Sequence, residues 1–115
     1  MITKTIDLRP YGGIGWLVVG CSPRQFAAWT HRRFGVKSGA DTPGQMLPLV
    51  KLSRPNAYVV YLQGWDWKID EQALMVHELF HLAQAVLLDA HVNDEEATAY
   101  YLQYLVGEVW NALKD

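Results

Sequence analysis

His77-Glu78-Leu79-Phe80-His81 is the stretch of this chain whose residue types and spacing can do chemistry. Two histidines four residues apart lie about one turn apart on the same face of an α-helix, so both imidazoles can reach one metal ion. Glu78 is offset from them by about 100 degrees around the helix axis. That offset suits contact with a water in an open coordination position better than service as a third equivalent ligand. Zinc lowers the pKa of such a water toward about 7, and a neighbouring carboxylate can take the proton and pass it to a leaving amine. The chain has only four histidines, so chance is a poor explanation of the spacing. The expected chemistry is hydrolysis of a peptide bond in a peptide or protein substrate, with His77 and His81 as zinc ligands and Glu78 as general base.

The polarity of the surrounding helix points the same way. Leu74, Ala85 and Leu88 share the histidine face, while Met75, Leu79, Leu82, Ala83 and Val86 cover the opposite one. A helix apolar nearly all round is expected to be buried. Two unpaired histidines in a core carry a heavy desolvation cost, which a metal would remove.

A catalytic zinc takes three protein ligands and keeps one position open. Asp89, His91, Asp94, Glu95 and Glu96 are the downstream candidates. A histidine six residues after His81 would suggest the metzincin spacing, but Leu87 stands there. Ala99, Leu102, Val106, Val109 and Leu113 form an apolar stripe that Glu95 continues, whereas Glu96 lines up with Tyr100, Gln103 and Gly107. By burial Glu95 should point inward. With Asn93 as N-cap, Glu96 would also fall where it can close a capping box. A closed site is a further alternative, in which Asp89, His91 or Glu95 fills the fourth position and shuts out water.

From about Ala57 to Tyr104 the chain resembles the gluzincins, and among them the very small minigluzincins, in which a glutamate from the next helix completes the metal site. Their ligand glutamate is followed by a small residue at the third place and a polar one at the fourth. Glu96-Ala97-Thr98-Ala99-Tyr100 matches at Ala99. The resemblance therefore implies Glu96 as third ligand. It also implies that Tyr100, standing where the family often has Asp or Asn, supports the site through its hydroxyl. In the zincin arrangement the strand before the metal helix is the edge of the sheet above the cleft, so the resemblance makes Asn56 to Gln63 the platform that pairs with substrate. The plain alternative is an interior strand.

Several elements must position this site. Ile2, Ile6 and Leu8 alternate with polar neighbours, and Ile14 to Gly20 is an apolar β-rich run, with Pro10-Tyr11-Gly12-Gly13 as the turn between two strands. Ser22-Pro23 starts a helix that Gly35 can end. Gly39, Pro43-Gly44 and Pro48 break up the stretch from Val36 to Pro55, which reads as a long surface loop. Asn56 to Gln63 reads as a third strand. Asp70 is the expected N-cap of the metal helix, running to about Leu88, and Asn93 or Asp94 starts the last helix. The expected fold is α+β and zincin-like: a small three-stranded sheet, a backing helix, an active-site helix and a C-terminal glutamate helix in one domain.

Composition narrows the alternatives. Half of the 115 residues are apolar, enough for a core without disulfides, and the single Cys21 fits a reducing, cytoplasmic setting. Twelve acids against ten bases give a net charge of -2 with no basic stripe, which argues against nucleic acid. No stretch approaches the roughly 20 apolar residues of a membrane-spanning helix, and no secretory signal is expected at Met1-Ile2-Thr3-Lys4-Thr5. The sequence leaves the oligomeric state open.

Trp65 and Trp67 could wall a specificity pocket, with core packing expected of at least one. Tyr100, Tyr101 and Tyr104 could donate to a developing oxyanion, and Tyr100 is assigned that role. His31, beside Arg32 and Arg33, is expected on a solvated helix surface, and Cys21 as a small buried hydrophobe. The competing functional class is a binding or assembly module, of a kind a phage or other mobile element could encode, that holds a metal and does no chemistry.

Overall fold

In the computed structural model, residues 1–36, 38, 41–49 and 56–114 are described. The elements run β1 (Ile2–Ile6), β2 (Ile14–Val19), α1 (Pro23–Phe34), β3 (Gly44–Pro48), β4 (Ala57–Leu62), α2 (Ile69–Asp89) and α3 (Glu95–Lys114). The class is α+β, and the sheet has four strands where three were expected, in the order β1-β2-β4-β3.

The additional strand is β3. It lies inside the segment expected to be loop from Val36 to Pro55, of which Lys37, Gly39, Ala40 and residues 50–55 fall outside the described residues. Gly44 to Pro48 is short and bounded by breakers, which hid it, yet Pro48 is itself a signal, since proline in a strand belongs at a sheet edge. Strand β3 pairs antiparallel with β4, and β2 pairs parallel with β4. Asn56 to Gln63 therefore contains an interior strand, every residue of which is buried. The expectation that it forms the exposed edge is corrected: the edge beside α2 belongs to β3.

The period of two in the strands divides their side chains between two layers. Trp16, Val18, Ala57, Val59 and Tyr61 pack with Phe26, Trp29 and Phe34 of α1. Leu17, Val19, Tyr58, Val60 and Leu62 pack with Met75, Leu79, Leu82 and Val86 of α2 and with Tyr101, Leu105 and Val109 of α3. Helix α1 begins and ends as the sequence indicates. Ser22 Oγ accepts from Gln25 N at 3.1 Å, Ser22 N donates to Gln25 Oε1 at 2.8 Å, and Gly35 closes the helix in the left-handed conformation.

Helix α3 is tied to the start of the chain. Lys4 Nζ donates to the Ala112 carbonyl near its C-terminus at 2.8 Å, where a cation also favours the helix dipole. Tyr101 and Tyr104 donate to the carbonyls of Leu8 and Asp7. No helix of the described residues is long and apolar enough to cross a membrane.

Candidate functional site

Helices α2 and α3 pack on the same face of the sheet, and a cleft lies between the C-terminal half of α2, the start of α3 and strand β3. The resulting cleft is about 1110 Å³ and is lined by Gly44, Gln45 and Met46 of β3, by His77, Glu78 and His81 of α2, and by Glu95, Thr98, Ala99 and Leu102 of α3. Among the described residues its charged lining consists of Glu78, Asp94 and Glu95, with no lysine or arginine. A cleft with this lining attracts a cation.

His77 Nε2 and His81 Nε2 are 3.2 Å apart. Two nitrogens that share a tetrahedral ion at the usual Zn–N length are about 3.3 Å apart. The side chains therefore converge at the spacing of two ligands of one ion, a geometry that follows from their i, i+4 placement. Without a cation, one ring can donate its Nε2–H to the other.

Glu78 is only 6% exposed, yet it lines the cleft. Its stem lies in the core and its carboxylate faces the cavity, where none of the described hydrogen bonds engages it. The imidazoles are the more exposed groups. This corrects the expectation of a helix buried all round. Ile69, Val76, Phe80 and Leu88 are exposed along α2, so burial does not by itself demand a metal for the histidines. Their convergence and the charge of the cleft are what favour one. The N-cap of α2 is Lys68 rather than Asp70.

The five candidates for a third ligand separate cleanly. Asp89 accepts a hydrogen bond from the Tyr58 hydroxyl and does not line the cleft. Burial and that bond raise the Tyr58 pKa well above its ordinary value. His91 has a positive φ of 60°, with His91 N donating to Leu88 O and Val92 N to Leu87 O. It is the left-handed residue of a Schellman motif that ends α2, a place usually filled by glycine. Asp94 lines the cleft and accepts from Glu96 N at 3.0 Å, capping α3. The helix thus begins one residue later than an Asn93 cap would make it, and Glu96 does not occupy the capping-box position. Glu95 lines the cleft with the histidines, and Glu96 does not. Burial reasoning placed Glu95 inward, and the observed lining follows that phase rather than the Glu96 implied by resemblance. Among the described residues no three His, Cys, Asp or Glu side chains are gathered closely enough to hold a metal, and Glu95 shares only the lining of the cleft with the pair.

Tyr100 is 69% exposed and lies on the other side of α3, in a groove with Arg9, Pro10 and Tyr11. It does not reach the cleft, and Tyr101 and Tyr104 spend their hydroxyls on the β1 end of the chain. The oxyanion role expected of Tyr100 is therefore corrected. Trp65 and Trp67 also lie away from the cleft, packed edge-to-face against each other and against Trp110 of α3, with Trp67 and Trp110 ring centres 4.6 Å apart. The indoles fasten the β4–α2 connection to α3. His31 is exposed and Cys21 buried, as expected.

Residue-by-residue reading missed Gly44, Gln45 and Met46, because strand β3 itself was missed. Gly44 permits the close approach of β3 to α2: a Cβ there would sit 3.0–3.1 Å from three side-chain carbons of Leu74. Comparison with known proteins returns no matching family model, no matching curated protein and no matching solved structure.

Proposed function

We propose that this chain is a small zinc-dependent peptidase of zincin type, with His77, His81 and Glu95 as metal ligands and Glu78 as general base. The observation that carries the reading is the convergence of the two imidazole nitrogens at 3.2 Å beside a mostly buried glutamate that opens onto the same cleft. Glu95 is exposed and engaged in none of the described hydrogen bonds, so its side chain is free to turn toward the pair. A bound zinc would supply a water of lowered pKa and polarise the scissile carbonyl. Glu78 takes the proton from the attacking water and delivers it to the leaving nitrogen, and its buried stem restricts the directions its carboxylate can take. Among the described residues strand β3 is an edge of the sheet along the cleft, on which an extended peptide can lie as an added strand. The resemblance to gluzincins and minigluzincins supports the histidine pair and Glu78 in these roles, while it implies Glu96 rather than Glu95 as the third ligand.

Replacing Glu78 by Gln is the test. The variant is expected to keep the zinc content of the parent and to lose peptide turnover by a factor of about 10²–10⁴, read with a quenched peptide library and metal analysis of the same preparation. Equal turnover by parent and variant would refute the general-base role. A second reading, a metal-holding module without chemistry, is favoured by the absence of a third ligand already gathered at the pair among the described residues. Zinc bound at one per chain with no turnover of any library member would select it. We also propose a cytoplasmic setting, on the strength of the single cysteine.

A further inference from the structure

The edge of β3 is not uniform, and its irregularity follows from the register. Gln63 N donates to Pro43 O and Leu49 N to Ala57 O. In an antiparallel pair the bonded positions recur every second residue. The main-chain groups of Gln45 and Leu47 therefore face β4 as well, while those of Gly44, Met46 and Pro48 face the free edge. The β2 side of β4 agrees with this phase, since Gly20 N donates to Leu62 O and Ile14 N to Asn56 O, even-numbered positions of that segment that point the other way.

Three residues thus face a guest strand, and two of them are incomplete. The Gly44 carbonyl already accepts from Thr42 Oγ1 at 2.7 Å, so a guest N–H there would have to share that oxygen with the hydroxyl and gains less from it. Pro48 has no N–H, and it does not line the cleft. Met46 lines the cleft, and none of the described turn, loop or side-chain hydrogen bonds takes its N–H or C=O.

Taking the cleft as the peptide-binding cleft proposed above, we propose that Met46 is the one full main-chain anchor for substrate, and that Thr42 suppresses a second at Gly44. An antiparallel guest exchanges both bonds with Met46 through a single residue. That residue must carry an N–H. The residue two places toward the guest's C-terminus, opposite Gly44, need not, so proline or an N-methylated residue is accepted there. The substrate class is then an extended peptide read through the backbone of one residue rather than along a continuous ladder, and Thr42 and Met46 are positioning residues.

The probe is the quenched decapeptide that the parent turns over fastest or, if none is cleaved, the one retained best by zinc-loaded Glu78→Gln protein. It is remade as a series with one backbone N-methyl group at each position in turn. Methylation opposite Met46 is expected to weaken binding about tenfold, while methylation two residues further on changes it less than twofold. Thr42→Val should then lower KM for the unmodified peptide about threefold and make the second position sensitive. A series in which every position responds alike, or a Thr42→Val protein in which the second position stays insensitive, overturns the proposal. Fluorescence anisotropy on zinc-loaded Glu78→Gln protein separates this outcome from failure of the peptidase reading. The expected N-methyl pattern in binding, with no turnover by the parent, refutes the peptidase and keeps the anchor. Turnover with a flat series does the reverse, and failure of every peptide to bind refutes both.

Discussion

The two faces of the sheet are built from the same strands and are used differently. On the α1 face, Phe26 stacks on Tyr61 with ring centres 4.3 Å apart, Trp16 and Trp29 both meet Phe34, and the Tyr61 hydroxyl donates to the Cys21 carbonyl. On the α2–α3 face the aliphatic core is equally dry near the sheet. Further out, a cleft lined by His77, His81 and Glu95 lies between the two helices and strand β3. A single helix against one face can close it completely. Two helices and an edge strand can leave a gap among them, and a small domain can place polar groups there without burying them unpaired.

If this division holds, perturbing each face should have separate effects. On the closed face, Phe26→Ala removes a ring that is fully buried and should cost about 3–5 kcal/mol of stability. The folded fraction should still bind zinc, as measured by urea unfolding alongside metal content. Loss of zinc affinity in folded protein would show that the faces are coupled.

On the open face, Glu95→Ala should weaken zinc binding by at least about tenfold, while Glu96→Ala leaves it within about twofold, measured by competition with a chelating dye. The reverse order would restore the glutamate implied by resemblance and discard the one that lines the cleft.

Alkaline pH probes the sheet from both sides. Burial pushes the Tyr61 hydroxyl up to about 12 and raises Tyr101 further, against about 10 in the unfolded chain. Below pH 10 both states hold these protons. Between about 10 and 12 the unfolded chain releases them first, so stability should fall as pH rises through this window. A urea midpoint that stays flat to pH 12 would contradict it, and Tyr61→Phe should reduce the slope.

The smallest expected effect lies at the end of the metal helix. His91→Gly should raise stability by about 1 kcal/mol, because glycine takes the left-handed conformation without strain, and should leave zinc content unchanged. A loss of zinc would make His91 a ligand after all.

Much of this division can be read before any coordinates. Ser22-Pro23 and Gly35 mark the ends of α1 through local capping chemistry, and the alternation in β1 and the apolar runs of β2 and β4 mark strands through side-chain period. Strand β3 escaped because its five residues are bounded by Pro43-Gly44 and end in Pro48, so local propensity reads as a turn and only pairing with β4 makes a strand of it. Tyr100 was assigned wrongly for a different reason. Resemblance in spacing located it on α3 but carried no information about the side of the helix that meets α2.

The sequence alone determined that His77 and His81 are neighbours on one helix face, since four residues of α-helix set the separation of their Cβ atoms wherever that helix goes. It also determined the caps of α1 at Ser22 and Gly35, because those bonds close within a few residues of each other. Only the tertiary structure decided which of Glu95, favoured by the apolar phase of α3, and Glu96, implied by resemblance, lines the cleft, that Met46 lies on the edge strand of the described sheet, and that the imidazoles are exposed while Glu78 is buried. These depend on the rotation of α3 about its axis and on which strand ends the sheet, and both are set by packing between segments far apart in the chain.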